Sequence, residues 1–188
     1  MNAILSSFLL VAAAEMGDKT QLLAFSLASR FRRPWTVMGG VLVATLVNHA
    51  LAAGVGTWVS THVPARLLAA VLAVLFVGFG VWALLPDRIE EHDRPSRFGP
   101  FLTTAVLFFL AEMGDKTQLA TMALGARFQS VVPVTIGTTL GMLVADGLAV
   151  LLGDRLASRV QARWVRWIAA ALFLAFGLAS AWTALTGP

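Results

Sequence analysis

The octapeptide Glu15-Met16-Gly17-Asp18-Lys19-Thr20-Gln21-Leu22 occurs a second time, letter for letter, as Glu112-Met113-Gly114-Asp115-Lys116-Thr117-Gln118-Leu119. Each copy lies inside a long apolar stretch, the first after residues 8–14 and the second after residues 106–111. Two carboxylates and an ammonium group at bilayer depth cost several kcal/mol even on the gentler insertion scales. A chain that carries this costly segment twice is expected to use it as a functional site.

The composition indicates a membrane protein with little mass outside the bilayer. Of 188 residues, 58% are hydrophobic and only 13% are charged, and the mean hydropathy is +0.79. Soluble domains keep roughly a quarter of their residues charged. The basic isoelectric point does not indicate a nucleic-acid partner here, because the arginines lie mostly at the ends of apolar segments, where they act as topology signals and lipid-headgroup contacts. The absence of cysteine excludes disulfides and thiolate metal sites.

The apolar segments predict an all-α membrane protein with six transmembrane helices, each about long enough to cross a hydrocarbon core of roughly 30 Å. They lie at residues 3–27, 35–60, 65–86, 100–125, 131–153 and 164–186. The repeat also extends beyond the octapeptide. The shift of 97 residues that carries Glu15 onto Glu112 carries Gly40 onto Gly137 and Phe79 onto Phe176.

This duplication predicts two inverted halves. Residues 1–86 form the first three-helix repeat, residues 87–99 a charged cytoplasmic linker, and residues 100–188 the second three-helix repeat. Because each half crosses the membrane an odd number of times, the second must insert upside down relative to the first. Secondary transporters built in this way hold their substrate near the bilayer midplane, at the interface between the repeats.

Arginine placement predicts the orientation. The connections between helices 1 and 2, 3 and 4, and 5 and 6 hold most of the arginines, whereas the opposite side holds only Arg66 and Arg127. By the positive-inside rule, both termini then lie on the extracytoplasmic side. The preference for arginine over lysine, together with the lack of a targeting extension, favours the plasma membrane of a bacterium.

The spacing within the motif suggests how its polar groups are arranged. On a continuous helix, Glu15 and Asp18 share a face, and Glu15 and Lys19 are placed to pair. Gly17 between them allows a close backbone approach or a local opening of the helix. A pseudo-two-fold axis would bring these groups together with their second-half equivalents near mid-membrane, where threonine and glutamine add neutral oxygens (Thr20, Gln21, Thr117, Gln118).

The charge balance of the paired motifs favours a divalent cation. Four carboxylates and two lysines sum to a formal charge of −2, which one divalent ion would neutralise. Without the ion, the carboxylates are expected to take up protons. Carboxylate, amide and hydroxyl oxygens suit magnesium, calcium and manganese. The alternative is that each motif is only a Glu–Lys contact between helices, but this leaves one buried carboxylate per copy without a partner.

Paired Glu-x-Gly-Asp-Lys-Thr motifs in a six-helix duplicated chain resemble the small cation/proton antiporter family that includes Golgi manganese and calcium transporters and bacterial manganese exporters. The resemblance covers the whole chain. It implies export of manganese, or alternatively calcium, from the cytoplasm in exchange for protons. It also implies that the acidic motif residues form the cation site (Glu15, Asp18, Glu112, Asp115).

The remaining motif residues receive supporting roles in this interpretation. Gln21 and Gln118 would complete the ion shell with their amide oxygens. Lys19 and Lys116 would tune the carboxylates and hold them apart when no ion is bound. Thr20 and Thr117 contribute hydroxyl oxygens, although such groups often bond only to a preceding helix carbonyl.

Three polar residues outside the motifs are secondary candidates, because polar groups within membrane helices usually have a function. Asn48 either supplies an amide oxygen or has no functional role. Asp146 is either a proton acceptor or gate ligand, or a residue that caps a helix break. His49 is better interpreted as an interhelical histidine with no direct role.

Two rival functions remain open from the sequence. One is a proton-coupled exporter of amino acids or other small solutes, in which the carboxylates only relay protons. The other is an intramembrane metal-dependent hydrolase, but no nucleophile lies beside a base and no histidine–carboxylate ligand set is present. We therefore expect a transporter rather than an enzyme, without a resident cofactor, whose partners are a divalent cation, protons and the lipid bilayer. The sequence does not decide whether it is a homodimer.

Overall fold

The computed structural model of the protein describes residues 2–85, 98–152 and 162–187. These ranges contain eight α-helices and no β-strand, so the predicted all-helical class is confirmed. The helices are α1 (Ala3–Glu15), α2 (Lys19–Phe31), α3 (Pro34–His62), α4 (Ala65–Ala83), α5 (Pro100–Glu112), α6 (Lys116–Phe128), α7 (Val131–Leu152) and α8 (Ala162–Thr186). Most of the predicted 87–99 linker, and most of the connection between the fifth and sixth predicted helices, lie outside the described residues.

Each octapeptide interrupts a helix that the sequence predicted to be continuous. The prediction of unbroken helices at 3–27 and 100–125 is wrong, because α1 ends at Glu15 and α2 begins at Lys19, with the same break between α5 and α6. The cause is the central glycine of each motif, which has φ of 84° at Gly17 and 79° at Gly114. A left-handed backbone at this position costs glycine little and turns the chain out of the helix.

Four of the described helices are long and apolar enough to cross a membrane, namely α3, α4, α7 and most of α8. The apolar helices α1 and α5 have 13 residues each. At 1.5 Å per residue, a helix of this length spans only about 20 Å, which is too short for a hydrocarbon core of roughly 30 Å. A crossing at either place would therefore need the helix that follows the break as well.

The helices of the two halves are interleaved. The long helix α3 packs mainly against α5 and α6 from the second half, and α7 packs against α1 and α2 from the first half. Helix α4 packs against α8. The long helix of each half thus packs against the broken helices of the other. The acidic residues on either side of each break are buried, whereas Gly17, Met113 and Gly114 at the breaks are exposed.

Individual contacts repeat under the shift of 97 residues. A Cβ atom added to Gly40 would lie 2.7 Å from both the carbonyl oxygen of Phe101 and the Cβ of Thr104. The equivalent Gly137 is equally tight against the carbonyl oxygen of Ile4 and the Cβ of Ser7. Helix α3 therefore contacts α5 through the same small-residue surface with which α7 contacts α1.

Candidate cation site

The turn in each motif is closed by its own glutamine. After α1 ends, the N–H of Asp18 donates to the carbonyl oxygen of Glu15 at 3.0 Å. The N–H of Gly17 donates to Gln21 Oε1 at 2.9 Å, and Gly114 donates to Gln118 Oε1 at 2.7 Å. A glycine followed four residues later by glutamine is the sequence signal for this turn, which was not recognised from the sequence. Both glutamine oxygens are thus already engaged by backbone donors.

The lysines pair across the two motifs rather than within them. Lys19 Nζ lies 2.8 Å from Asp115 Oδ1, and Lys116 Nζ lies 3.1 Å from Asp18 Oδ2. The predicted pairing of Glu15 with Lys19 is therefore wrong. It assumed the i, i+4 geometry of an unbroken helix, whereas the turn separates the two residues into different helices. The two crossed pairs instead join the two motifs of the chain.

Three carboxylates converge at the breaks. Glu15, Glu112 and Asp115 each offer an oxygen, and these atoms all lie within 4.8 Å of one another. Their side chains are almost fully buried, with 0%, 1% and 7% exposed. Asp18 is equally buried and joins the group through its pair with Lys116. The structure thus brings together the four acidic residues singled out in the sequence.

The hydroxyl groups of both motif threonines donate hydrogen bonds to Glu15. Thr20 Oγ1 donates to Glu15 Oε2 at 2.8 Å, and Thr117 Oγ1, from the other motif, donates to Glu15 Oε1. Both oxygens of Glu112 and Oδ2 of Asp115 have no hydrogen-bond donor within the described part of the chain. Three buried acceptor oxygens are therefore available to a ligand that carries positive charge.

Amide groups anchor the turns to the long helices. Gln21 Nε2 donates to the carbonyl oxygen of Ala145 in α7 at 2.7 Å. Gln118 Nε2 donates to Asn48 Oδ1 in α3 at 3.0 Å, and Asn48 Nδ2 donates to the carbonyl oxygen of Phe109 at 3.1 Å. Asn48, predicted only as a secondary candidate, is thus hydrogen-bonded directly to a residue of the second motif.

Asp146 and His49 occupy equivalent positions in α7 and α3, and both are fully buried. Neither carboxylate oxygen of Asp146 and neither ring nitrogen of His49 has a hydrogen-bond partner among the described residues. Asp146 lies outside the group of three carboxylates whose oxygens are within 4.8 Å of one another. The structure therefore separates this fifth buried carboxylate from the cluster formed by the two motifs.

The chemistry of the site is that of a hard-cation site. Its acidic groups are carboxylates, its neutral groups are hydroxyls and amides, and its net formal charge is −2, from four carboxylates and two lysines. Oxygen ligands of this kind suit magnesium, calcium and manganese rather than zinc or copper. A divalent ion would balance the charge.

Comparison with known proteins identifies similar cation transporters. The model of the family described as "Divalent cation/proton antiporter GDT1" matches the chain twice, over residues 3–91 and 100–188. A Vibrio cholerae protein named "Putative manganese exporter" is 43% identical over 182 residues, which cover 96% of this chain and 91% of the relative. No solved structure matches the chain.

More distant relatives come from plants and cyanobacteria. "GDT1-like protein 3" of Arabidopsis thaliana is 30% identical over 95% of this chain and 70% of its own length. "GDT1-like protein sll0615" of a Synechocystis strain is 29% identical over 97% of this chain and 98% of its own length. Together with the doubled family match, these similarities confirm the resemblance that the motifs suggested, and the chain belongs to the GDT1 family of divalent cation/proton antiporters.

Proposed function

We propose that this chain exports Mn²⁺ from the cytoplasm in exchange for protons, with the carboxylates of both motifs as the cation ligands (Glu15, Asp18, Glu112, Asp115). The observation that carries the proposal is the buried group of Glu15, Glu112 and Asp115, in which three oxygens have no donor among the described residues. Buried carboxylates this close together are stable only when a cation or protons balance their charge. Competition between those two ligands for one site is the electrostatic requirement for exchange.

The proposed topology has six crossings in two inverted halves. Helices α1 and α2 together form the first crossing, and α5 and α6 form the fourth. Residues 1–86 and 100–188 are the two halves, joined by a cytoplasmic linker at 87–99, with both termini outside. The crossed lysine–aspartate pairs and the interleaved packing of α3 and α7 support this arrangement.

The neutral groups complete the proposed site. The oxygens of Gln21 and Gln118 accept glycine N–H bonds, but a carbonyl oxygen has two lone pairs and can contact a cation as well. Thr20 and Thr117 hold Glu15 in place. Lys19 and Lys116 offset part of the negative charge, so that one divalent ion suffices to neutralise the rest.

Manganese is proposed over calcium because of the relative from Vibrio cholerae, whose name specifies manganese. The ligand set itself accepts either ion. The first helix break disfavours the rival interpretation as an amino-acid exporter. A zwitterion would need a free helix N-terminus for its carboxylate, but at the start of α2 the N–H groups of Gly17 and Lys19 already donate to Gln21 and Asp18. At the start of α6, Asp115 makes no such side-chain cap.

The test is transport by the purified protein in liposomes that contain a pH reporter. We expect a gradient of Mn²⁺ to drive protons in the opposite direction, and Ca²⁺ to be compared in the same assay. Asp115→Asn, which keeps the size of the side chain but removes its charge, should abolish both fluxes.

The pH dependence of binding provides the second arm of the test. Protons and the cation compete for the same carboxylates, so the apparent affinity for Mn²⁺ should fall steadily as the pH is lowered from about 8 to about 5.5. Calorimetry in buffers of different ionisation enthalpy would count the protons released. A pH-independent affinity, or Mn²⁺ flux without proton movement, would indicate a channel or uniporter instead.

A further inference from the structure

Asp146 is a buried carboxylate that the cation site does not use. It lies in α7 with 0% of its surface exposed, and neither of its oxygens has a hydrogen-bond donor in the ranges that the structure describes. Glu15 accepts from two hydroxyl groups, and Glu112 has an oxygen within 4.8 Å of oxygens of Glu15 and Asp115, whereas Asp146 lies outside that group. An unpaired charged carboxylate in this setting is very costly, whereas a protonated one is far less so.

The position of Asp146 nevertheless links it to the motifs. The carbonyl oxygen of the preceding residue, Ala145, accepts a hydrogen bond from Gln21 at 2.7 Å, so this part of α7 lies directly against the first turn of α2. Helix α7 also packs closely along α1, whose last residue is Glu15. It is therefore close enough to respond to the charge of the cation cluster without being part of it.

Other titratable groups lie on the helices packed against α7. Helix α1 contributes Glu15, and α3 contributes the buried His49. At the N-terminal ends of α2 and α6 lie the residues of the two crossed ion pairs (Asp18, Lys19, Asp115, Lys116). Near the C-terminal ends of these helices lie two arginines, Arg30 and Arg127. Because Lys19 and Lys116 are each paired with an aspartate of the opposite motif, the influence that changes during transport is the charge of the carboxylate cluster.

We propose that Asp146 is a proton-binding residue, separate from the cation ligands, that carries one of the exchanged protons. This inference rests on the proposed exchange function. When the cation leaves, the cluster regains its negative charge and a proton from water forms an O–H bond with Asp146. When the next cation binds, the cluster is neutralised, the O–H bond breaks, and the proton returns to water. The residue thus senses the occupancy of the site by charge alone.

The experiment separates cation exchange from proton coupling with Asp146→Asn. In liposomes with Mn²⁺ on both sides and equal pH, isotope exchange requires only the cation site, and the variant should retain it within about threefold of wild type. In the same vesicles with a Mn²⁺ gradient and a pH reporter, the number of protons moved per Mn²⁺ should fall by about one. Asp146→Glu, which restores a carboxylate, should restore the coupling.

Two further variants serve as a control and as a replacement. His49→Gln changes the equivalent buried residue of α3 and should leave the proton count unchanged. If Asp146→Asn does not elute as a folded protein, Asp146→Ser replaces it in both assays. Loss of isotope exchange in the folded variant would make Asp146 a cation ligand and overturn the proposal, and so would an unchanged proton count or an equal loss in His49→Gln. Wild-type Mn²⁺ flux without proton movement would instead refute the proposed function itself, and this inference with it.

Discussion

The two octapeptides are identical in sequence but differ in what their glutamates contact. Glu15 accepts hydrogen bonds from two threonines, one from each motif, whereas neither oxygen of Glu112 has a donor in the described ranges. Both glutamates are fully buried, so bulk solvent reaches neither of them. One copy therefore holds its glutamate with hydrogen bonds, and the other leaves its glutamate without a donor among the described residues.

The residues that surround the motifs explain how identical segments come to differ. Gln118 donates to the side chain of Asn48, but the residue equivalent to Asn48 is Ala145, and Gln21 donates to its backbone carbonyl instead. The crossed ion pairs differ as well, since the side chain of Lys19 is 34% exposed and that of Lys116 only 6%. The cluster is thus more open to its surroundings beside Lys19 than beside Lys116.

The largest expected contrast is between the two glutamates. Both Glu15→Gln and Glu112→Gln should reduce Mn²⁺ transport at least about a hundredfold, because each removes a charge from the cation site. Their effects on the cation-free protein should be opposite. Glu15→Gln disturbs two hydrogen bonds and should cost about 1–3 kcal/mol, whereas Glu112→Gln removes an unpartnered carboxylate beside two others and should raise the thermal unfolding midpoint.

Thermal unfolding in detergent, with and without Mn²⁺, measures this contrast. Wild type should be stabilised by the ion in proportion to its concentration relative to Kd, and both variants should lose that stabilisation. If Glu112→Gln destabilised the cation-free protein as much as Glu15→Gln does, the two glutamates would be equivalent, and the difference between the motifs would have no energetic consequence.

The crossed ion pairs should show a smaller contrast. Lys116→Met breaks the buried ion pair with Asp18 and should cost about 3–5 kcal/mol of stability. Lys19→Met removes a partly exposed lysine, so the cost should be nearer to 1 kcal/mol. Denaturation of both variants at low and high salt would measure this, with the salt dependence larger for the Lys19 pair. Equal costs would mean that the two sides of the cluster are equally buried.

The sequence predicted which residues meet at the site but not how they pair. The exact duplication within apolar segments was enough to predict that Glu15, Asp18 and their equivalents lie close together, because an internal repeat in a membrane protein implies an interface shared by the two copies. The crossed pairing of Lys19 with Asp115 could not be predicted, since the spacing argument assumed an unbroken helix. The helix break depends on a left-handed glycine, which the sequence allows at Gly17 but does not require.

The difference between the two glutamates was beyond any argument from the motifs alone. Identical octapeptides predict identical contacts, and both threonines were expected to act alike. The asymmetry arises where the halves have diverged, at positions such as Asn48 and Ala145, or His49 and Asp146, and its effect on Glu112 depends on side-chain packing. The all-helical class, in contrast, follows directly from apolar segments about 20 residues long.

A tight helix crossing provides the last comparison between the halves. In the second half, a Cβ atom added to Gly125 of α6 would lie 2.5 Å from the carbonyl oxygen of Ala53 in α3, and one added to Gly56 would clash with the carbonyl of Met122. Thr57 reinforces this crossing by donating to the carbonyl oxygen of Gly125 at 3.2 Å. In the first half, the residue equivalent to Gly125 is Ala28, which already carries a Cβ atom.

Gly125→Ala should therefore cost about 1–3 kcal/mol, because the new methyl group meets backbone that cannot yield without separating α3 from α6. Gly54→Ala is the matched control: it lies in α3 within two residues of the same crossing, but a Cβ atom there meets nothing within 4 Å. Removing a glycine from a helix interior should stabilise that variant slightly. Ala28→Gly should cost no more than about 1 kcal/mol, since it loses helix propensity and a small buried methyl group. The thermal unfolding midpoints of the three variants measure how tightly the helices pack at each crossing. If Gly125→Ala were as stable as Gly54→Ala, the α3–α6 contact would be free to adjust, and the packing difference between the halves would not restrict how they move.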